Sequence, residues 1–246
     1  MSRFLTMVGR EWRAYFLSPL GYVILASFLF MNGLIFAAIL NFLSRPGTAK
    51  SDFLVLLFSN TFFWIFVLFV VASISMRLFP EERRSGTLEV LLTSPVSETE
   101  VVLAKFVGAW VFYMTLWVPS IVYFVILGSK TTLDIAMVAG GYLATFLLGG
   151  YFISVGTFAS TLTKNQIVAA IVAFAMLIPI FAAGLLDQMV NSPALKSAVG
   201  YLNLWDHMDE FSKGIIDSRR VVYYLSATAF FLFLSIVSIS AKKETP

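Results

Sequence analysis

The single histidine of the sequence, His207, sits among three carboxylates, Asp206, Asp209 and Glu210. Imidazole and carboxylate are zinc donors, and an acid beside a histidine can also shuttle protons. All four residues come from one short stretch, however, and such a weak cluster reads better as a solvated acidic patch than as a metal centre. A lipid-directed enzyme would have to rest on Asp206, His207 and Asp209 alone. A Ser-His enzyme would need the same histidine, and no G-x-S-x-G segment occurs. With no cysteine in the chain, disulfides, thiolate metal sites and thiol nucleophiles are excluded. Neither a G-x-x-x-x-G-K-[ST] loop nor any Gly-Lys pair is present, so the usual cradle for nucleotide phosphates is missing. The expectation is a chain that is not an enzyme and has no catalytic, cofactor-binding or metal-binding residue of its own.

The densest charge lies elsewhere, in "PEERRSGTLEVLLTSP" from Pro80 to Pro95. Pro80 suits the first turn of a helix, where its missing N–H costs nothing, and Glu81 and Glu82 then meet the positive helix end. Leu88, Leu91 and Leu92 share one face, Glu89 lies to the side, and Pro95 stops the helix. Ser97 and Glu100 form an S-x-x-E capping box that opens the next element. The spacing predicts a short amphipathic helix within a loop spanning residues 77–97, read either as a lipid-resting connection or as a docking surface.

The elements around these residues follow from composition. The chain is 59% hydrophobic and 13% charged, with a mean hydropathy of +0.88, whereas soluble domains carry about 25% charged residues. Runs without Asp, Glu, Lys or Arg cover Ala14 to Ser44, Phe53 to Met76, Phe106 to Ser129, Ile135 to Thr163, Asn165 to Leu186 and Val221 to Ala241. Each reaches the roughly 20 residues that a helix needs to cross a bilayer. They are apolar on every face, without the alternation of a membrane β-barrel. The fold class is therefore an all-α membrane protein with six transmembrane helices, an N-terminal amphipathic interfacial helix and a short cytoplasmic coupling helix.

Over residues 2–17, Phe4, Val8, Trp12 and Tyr15 fall on one side of a helical wheel, with Arg3, Arg10 and Arg13 on the other and Glu11 intruding at the edge. That is the pattern of a helix lying in the headgroup layer. The apolar run after it is too long for a signal-peptide core, so the first span is expected to be retained. Residues 188–220 are too apolar for a plain linker and predict short helices on the outer face. No internal repeat divides the chain, which reads as one domain, 1–246.

The net charge of +3 is scattered among membrane flanks, which fits anionic lipid and argues against nucleic acid. With the N-terminus inside, the cytoplasmic segments hold Arg3, Arg10, Arg13, Arg77, Arg83, Arg84, Lys105, Lys164, Lys242 and Lys243, while the outer segments hold Arg45, Lys50, Lys130, Lys196, Lys213, Arg219 and Arg220. The short loops carry the contrast most clearly, and both termini are placed in the cytoplasm. In the fourth run, Gly141, Thr145, Gly149, Ser154, Gly156 and Ser160 are spaced for close helix approach, chiefly within the bundle, with a dimer face or substrate path as the alternative. Pro119 and Pro179 mark kinks. No ionisable group lies inside the runs, so uphill movement of a substrate would draw its energy from outside the chain.

"EERRSGTLEVLLTSPVSETEVVLAKFVG", Glu81 to Gly108, resembles the E-E-x-x-x-G-T-L-E-x-L-L-x-S-P-V-S pattern of ABC transporter permeases of the export-type ABC-two superfamily. "REWRAYFLSPLGYVI" from Arg10 and "DEFSKGIIDSRRVVYYLSATAFFLFL" from Asp209 resemble its gliding-motility GldF-like branch. The resemblance implies a permease of the bacterial cytoplasmic (inner) membrane. It pairs with a second permease, identical or different, and with two cytoplasmic ABC ATPase subunits that bind the ATP and magnesium. It makes Glu81, Glu82, Gly86, Thr87, Leu88, Glu89, Leu91 and Leu92 candidate ATPase-docking residues. The rival expectation is a non-transporting scaffold for a motility or envelope-assembly complex.

Overall fold

In hydrocarbon a backbone must satisfy its own polar groups, and long apolar runs therefore fold as helices. The computed structural model describes residues 3–44, 53–58, 60–86, 97–129, 133–187 and 200–243. Its helices are α1 (Arg3–Phe16), α2 (Pro19–Leu43), α3 (Phe53–Phe58), α4 (Thr61–Ser75), α5 (Pro80–Ser85), α6 (Glu98–Trp117), α7 (Ile121–Gly128), α8 (Ile135–Leu162), α9 (Gln166–Asp187), α10 (Leu204–Ser212) and α11 (Ser218–Lys243). No strand occurs among the described residues. Among the described residues, six stretches are long and apolar enough to cross a membrane: Pro19–Leu43, Thr61–Ser85, Glu98–Gly128, Ile135–Leu162, Gln166–Gly184 and Ser218–Ala241.

Local chemistry sets several boundaries. The Asn60 side chain accepts from the Phe63 N–H at 3.0 Å and starts α4. The capping box at α6 is complete: Ser97 Oγ accepts from the Glu100 N–H at 3.2 Å, and Glu100 Oε2 accepts from the Ser97 N–H at 3.0 Å. The third span thus begins at Glu98, ahead of its charge-free run, and carries Lys105 into the bundle. Pro119 breaks that span, which passes through a 3-10 turn at Val118–Ser120 before α7 resumes. Pro179 lies inside α9 without ending it.

Helix α8 runs through the centre, packed by α4, α6, α9, α10 and α11. Its Gly141, Thr145, Gly149, Ser154, Gly156 and Ser160 are all buried. A Cβ at Gly149 would sit 2.1 Å from the Tyr113 ring, and one at Gly156 2.2 Å from Ser75 Oγ. The small-residue stripe is spent on packing inside the chain and is not a dimer face. Around it, Phe28, Phe63 and Trp117 meet edge to face, and Trp64 lies tilted against Trp117.

Candidate functional site

The charged segment begins as its residues dictate and then departs from expectation. Pro80 stands at the start of α5, Glu81 and Glu82 occupy its first turn, and Arg83 and Arg84 its last. Gly86 takes φ +72°, the left-handed conformation that ends helices. The single helix expected across the segment is therefore closed at Ser85. Of the candidate docking residues, Glu81, Glu82 and Gly86 are placed here, whereas Thr87, Leu88, Glu89, Leu91 and Leu92 lie outside the described residues.

α5 is an extension of the second span. Turns over Met76 to Phe79 keep the chain on course, with Met76 N–H donating to Ala72 O at 3.0 Å and Arg83 N–H to Phe79 O at 3.0 Å. This brings Glu82 against two other elements. Lys105 of α6, only 3% exposed, reaches Glu82 Oε1 at 2.8 Å and Glu11 Oε2 of α1 at 3.3 Å. Arg10 reaches Glu11 at 2.8 Å and Glu82 at 3.3 Å. Two cations and two carboxylates from three elements therefore close into a neutral cluster. Its hydrogen bond to Glu11 holds the Arg10 guanidinium above its ordinary pKa. The Lys105 ammonium also lies 5.6 Å from the centre of the Phe79 ring.

The same junction is tied at its edges. Tyr15 is buried and its hydroxyl donates to Ile74 O at 2.9 Å, while Arg77 stands over its ring at 5.1 Å. Burial pushes the Tyr15 phenol well above its ordinary range. Arg77 pairs with Glu81 at 2.9 Å, one turn on. Arg83 donates to Thr163 O at 3.2 Å, which connects α5 to the end of α8. Gly108 lets α1 approach α6, since a Cβ there would stand 2.6 Å from Glu11 Cβ. A cavity of about 280 Å³ opens beside the cluster, lined in part by Ala14, Leu78 and Ser85.

The interfacial-helix residues divide between protein and surface. Tyr15 stacks on Phe112 at 4.4 Å, and Trp12 donates to Thr115 Oγ1 at 3.5 Å. Phe4 and Val8 are half-buried, and Leu5 and Leu17 are exposed. Glu11, the residue that broke the wheel, is the one that pairs with Lys105.

Around His207 the carboxylates are solvated as the sequence suggests, Asp206 exposed and Asp209 and Glu210 partly so, but the histidine itself is not. His207 is 1% exposed, with Nδ1 at 3.2 Å from the Tyr224 hydroxyl. Burial, with Arg220 nearby, pushes its pKa down to about 4. The carboxylates point away from it: Asp206 accepts from Asn203 at 2.8 Å, Asp209 pairs with Lys213, and Glu210 holds Arg220 through two contacts of 2.5 Å. No metal-capable group of three such side chains occurs among the described residues. The readable signal was the spacing of Leu204, His207, Met208 and Phe211, which share the buried face of α10.

The family model described as ABC-2 family transporter protein matches residues 44–205, more than half of the chain. The chain belongs to the ABC-2 transporter family. No curated protein matches it. As an ABC-2 chain it is a multi-pass permease, the membrane subunit of an ABC transporter and not its ATPase. The match takes in α5 and the loop after it, together with Lys105. The family as a whole implies partnership with ATPase subunits and dimerisation.

Proposed function

We propose that this permease works as an exporter in the cytoplasmic membrane of a bacterium, with both termini in the cytoplasm. Cytoplasmic ATPases dock on Glu81, Glu82, Gly86 and the segment carrying Thr87, Leu88, Glu89, Leu91 and Leu92. ATP and magnesium are bound by those partners, and a second permease, identical or different, completes the path. The GldF-like resemblance at both ends of the chain supports placing it in that branch. The observation that carries the reading is the Lys105 cluster: α5 is clamped to α1 and α6 through buried charge, so a push on the docking loop reaches the second and third spans together.

The test co-expresses the permease with an ABC ATPase. Glu81→Lys, at a carboxylate outside the cluster, combined with Glu89→Lys is expected to reduce ATPase co-purification at least tenfold. Lys105→Met is expected to leave association intact but abolish substrate-stimulated hydrolysis. Undiminished association in the double variant overturns the docking surface, and undiminished stimulation in Lys105→Met overturns the transmission.

A further inference from the structure

At the end of the bundle opposite α5, a cavity of about 330 Å³ opens where α10 meets the start of α11. That volume lies within the range of small-molecule sites, about 300–1,000 Å³. Its walls include His207, Asp217, Arg219, Arg220, Tyr201 and Tyr223. The charges in these walls are of two kinds. Arg220 is already neutralised by Glu210, which holds it at two points. Arg219 and Asp217 have no ion-pair partner among the described residues, although Asp217 Oδ1 accepts the backbone N–H of Arg219 at 2.8 Å.

Two further observations point to a ligand. His207 is almost fully buried yet forms part of the wall, and beyond the Tyr224 contact at Nδ1 its ring makes no hydrogen bond among the described residues, which leaves Nε2 for an occupant. The surroundings are apolar and exposed: Tyr201 of the wall is exposed, as are Leu202, Ile215, Ile216 and Val222, each within two positions of a wall residue in the chain. At the end of a membrane span, such side chains meet the boundary between headgroups and acyl chains, where tyrosine is enriched.

An occupant that matches these walls must carry an anion for Arg219, a cation for Asp217 and an acyl tail for the rim. We propose that the cavity binds the headgroup of a zwitterionic phospholipid of the phosphoethanolamine class. The phosphate meets the Arg219 guanidinium in charge-assisted hydrogen bonds. The ammonium meets Asp217 and the Tyr223 face, which attracts cations. A purely anionic lipid would satisfy Arg219 but bring no cation to Asp217. Free phosphoethanolamine has the same polar chemistry, and the apolar rim is the reason to assign the lipid. This site is independent of the ATPase-docking reading.

The test uses the full-length chain in detergent and reads thermal midpoints during titration with short-chain phosphatidylethanolamine, short-chain phosphatidylglycerol and free phosphoethanolamine, since a ligand of the folded state raises the midpoint. The phosphatidylethanolamine is expected to bind at least tenfold more tightly than either of the others. Asp217→Asn, which can still cap α11, is expected to lose that preference while keeping the weaker phosphatidylglycerol binding. Arg219→Gln is expected to weaken both lipids about tenfold, the scale of one such contact. Equal or tighter binding of phosphatidylglycerol overturns the zwitterion assignment, and equal affinity for free phosphoethanolamine overturns the lipid source. A wild-type preference that survives in both variants overturns the site.

Discussion

An imidazole packed against Tyr223 and Tyr224, with ring centres 5.5 Å away in each case, resists taking a second proton. The folded pKa of His207 falls to about 4, against about 6.5 in an unfolded chain. Above pH about 6.5 both states are neutral and stability is insensitive to this group. As the pH falls toward 4, the unfolded chain gains a proton that the folded chain refuses, so stability is lost across that window. Asp217 opposes this shift and Arg220 assists it. His207→Gln keeps a polar group beside Tyr224 and removes the titration. Thermal midpoints of the two proteins should run parallel above pH about 6.5, with the wild type losing ground below it; parallel curves down to pH 4 would refute the burial argument. The sequence could be read for the face on which His207 lies but not for its partner, because Tyr224 belongs to another helix. Glu11 presents the same limit: a helical wheel exposes the misfit, whereas its reason, Lys105, is distant in the chain.

Helix boundaries were more legible than helix contacts. The capping box at Ser97 and Glu100 and the proline at the head of α5 act through neighbours within a turn, so local spacing is enough to find them. Gly86 was equally visible, yet the pattern of leucines beyond it argued for one continuous helix; the left-handed C-cap at Gly86 won. Glycine roles within helices depend on what lies opposite. A Cβ at Gly140 would stand 2.2 Å from the backbone oxygen of Phe211, which cannot rotate aside as a side-chain tip can. Gly140→Ala should therefore push α10 from α8 and cost about 1–3 kcal/mol, as overpacking does. Gly9 has nothing within 4 Å of its would-be Cβ. Gly9→Ala should instead stabilise by about 0.5–1 kcal/mol through helix propensity alone. Chemical or thermal unfolding in detergent compares the pair, and equal effects would contradict the α8–α10 contact.

At the scale of the whole molecule, the contacts sort by end. Arg83 meeting Thr163, and Ser240 meeting Glu98, tie α5, α6, α8 and the last turns of α11 at one end. Gly140 meeting Phe211 and His207 meeting Tyr224 tie α8, α10 and the first turns of α11 at the other. With six spans, α1, α5 and the end of α11 share a side and α10 lies across the bilayer. The lysine and arginine distribution over short loops is the sequence's guide to which side is inside, and the proposed orientation rests on it and not on the packing. Because the chain has no cysteine, a single introduced thiol reports its own location. Arg84 in α5 and Lys213 after α10 are both exposed, so Arg84→Cys and Lys213→Cys leave the buried contacts alone. A membrane-impermeant maleimide applied to intact cells should label Lys213→Cys, and should label Arg84→Cys only after permeabilisation. The reverse pattern would place α5 outside, beyond the reach of any cytoplasmic ATPase, and would remove the docking surface and the transmission route through Lys105 together. It would leave the headgroup cavity intact but assign it to the inner leaflet.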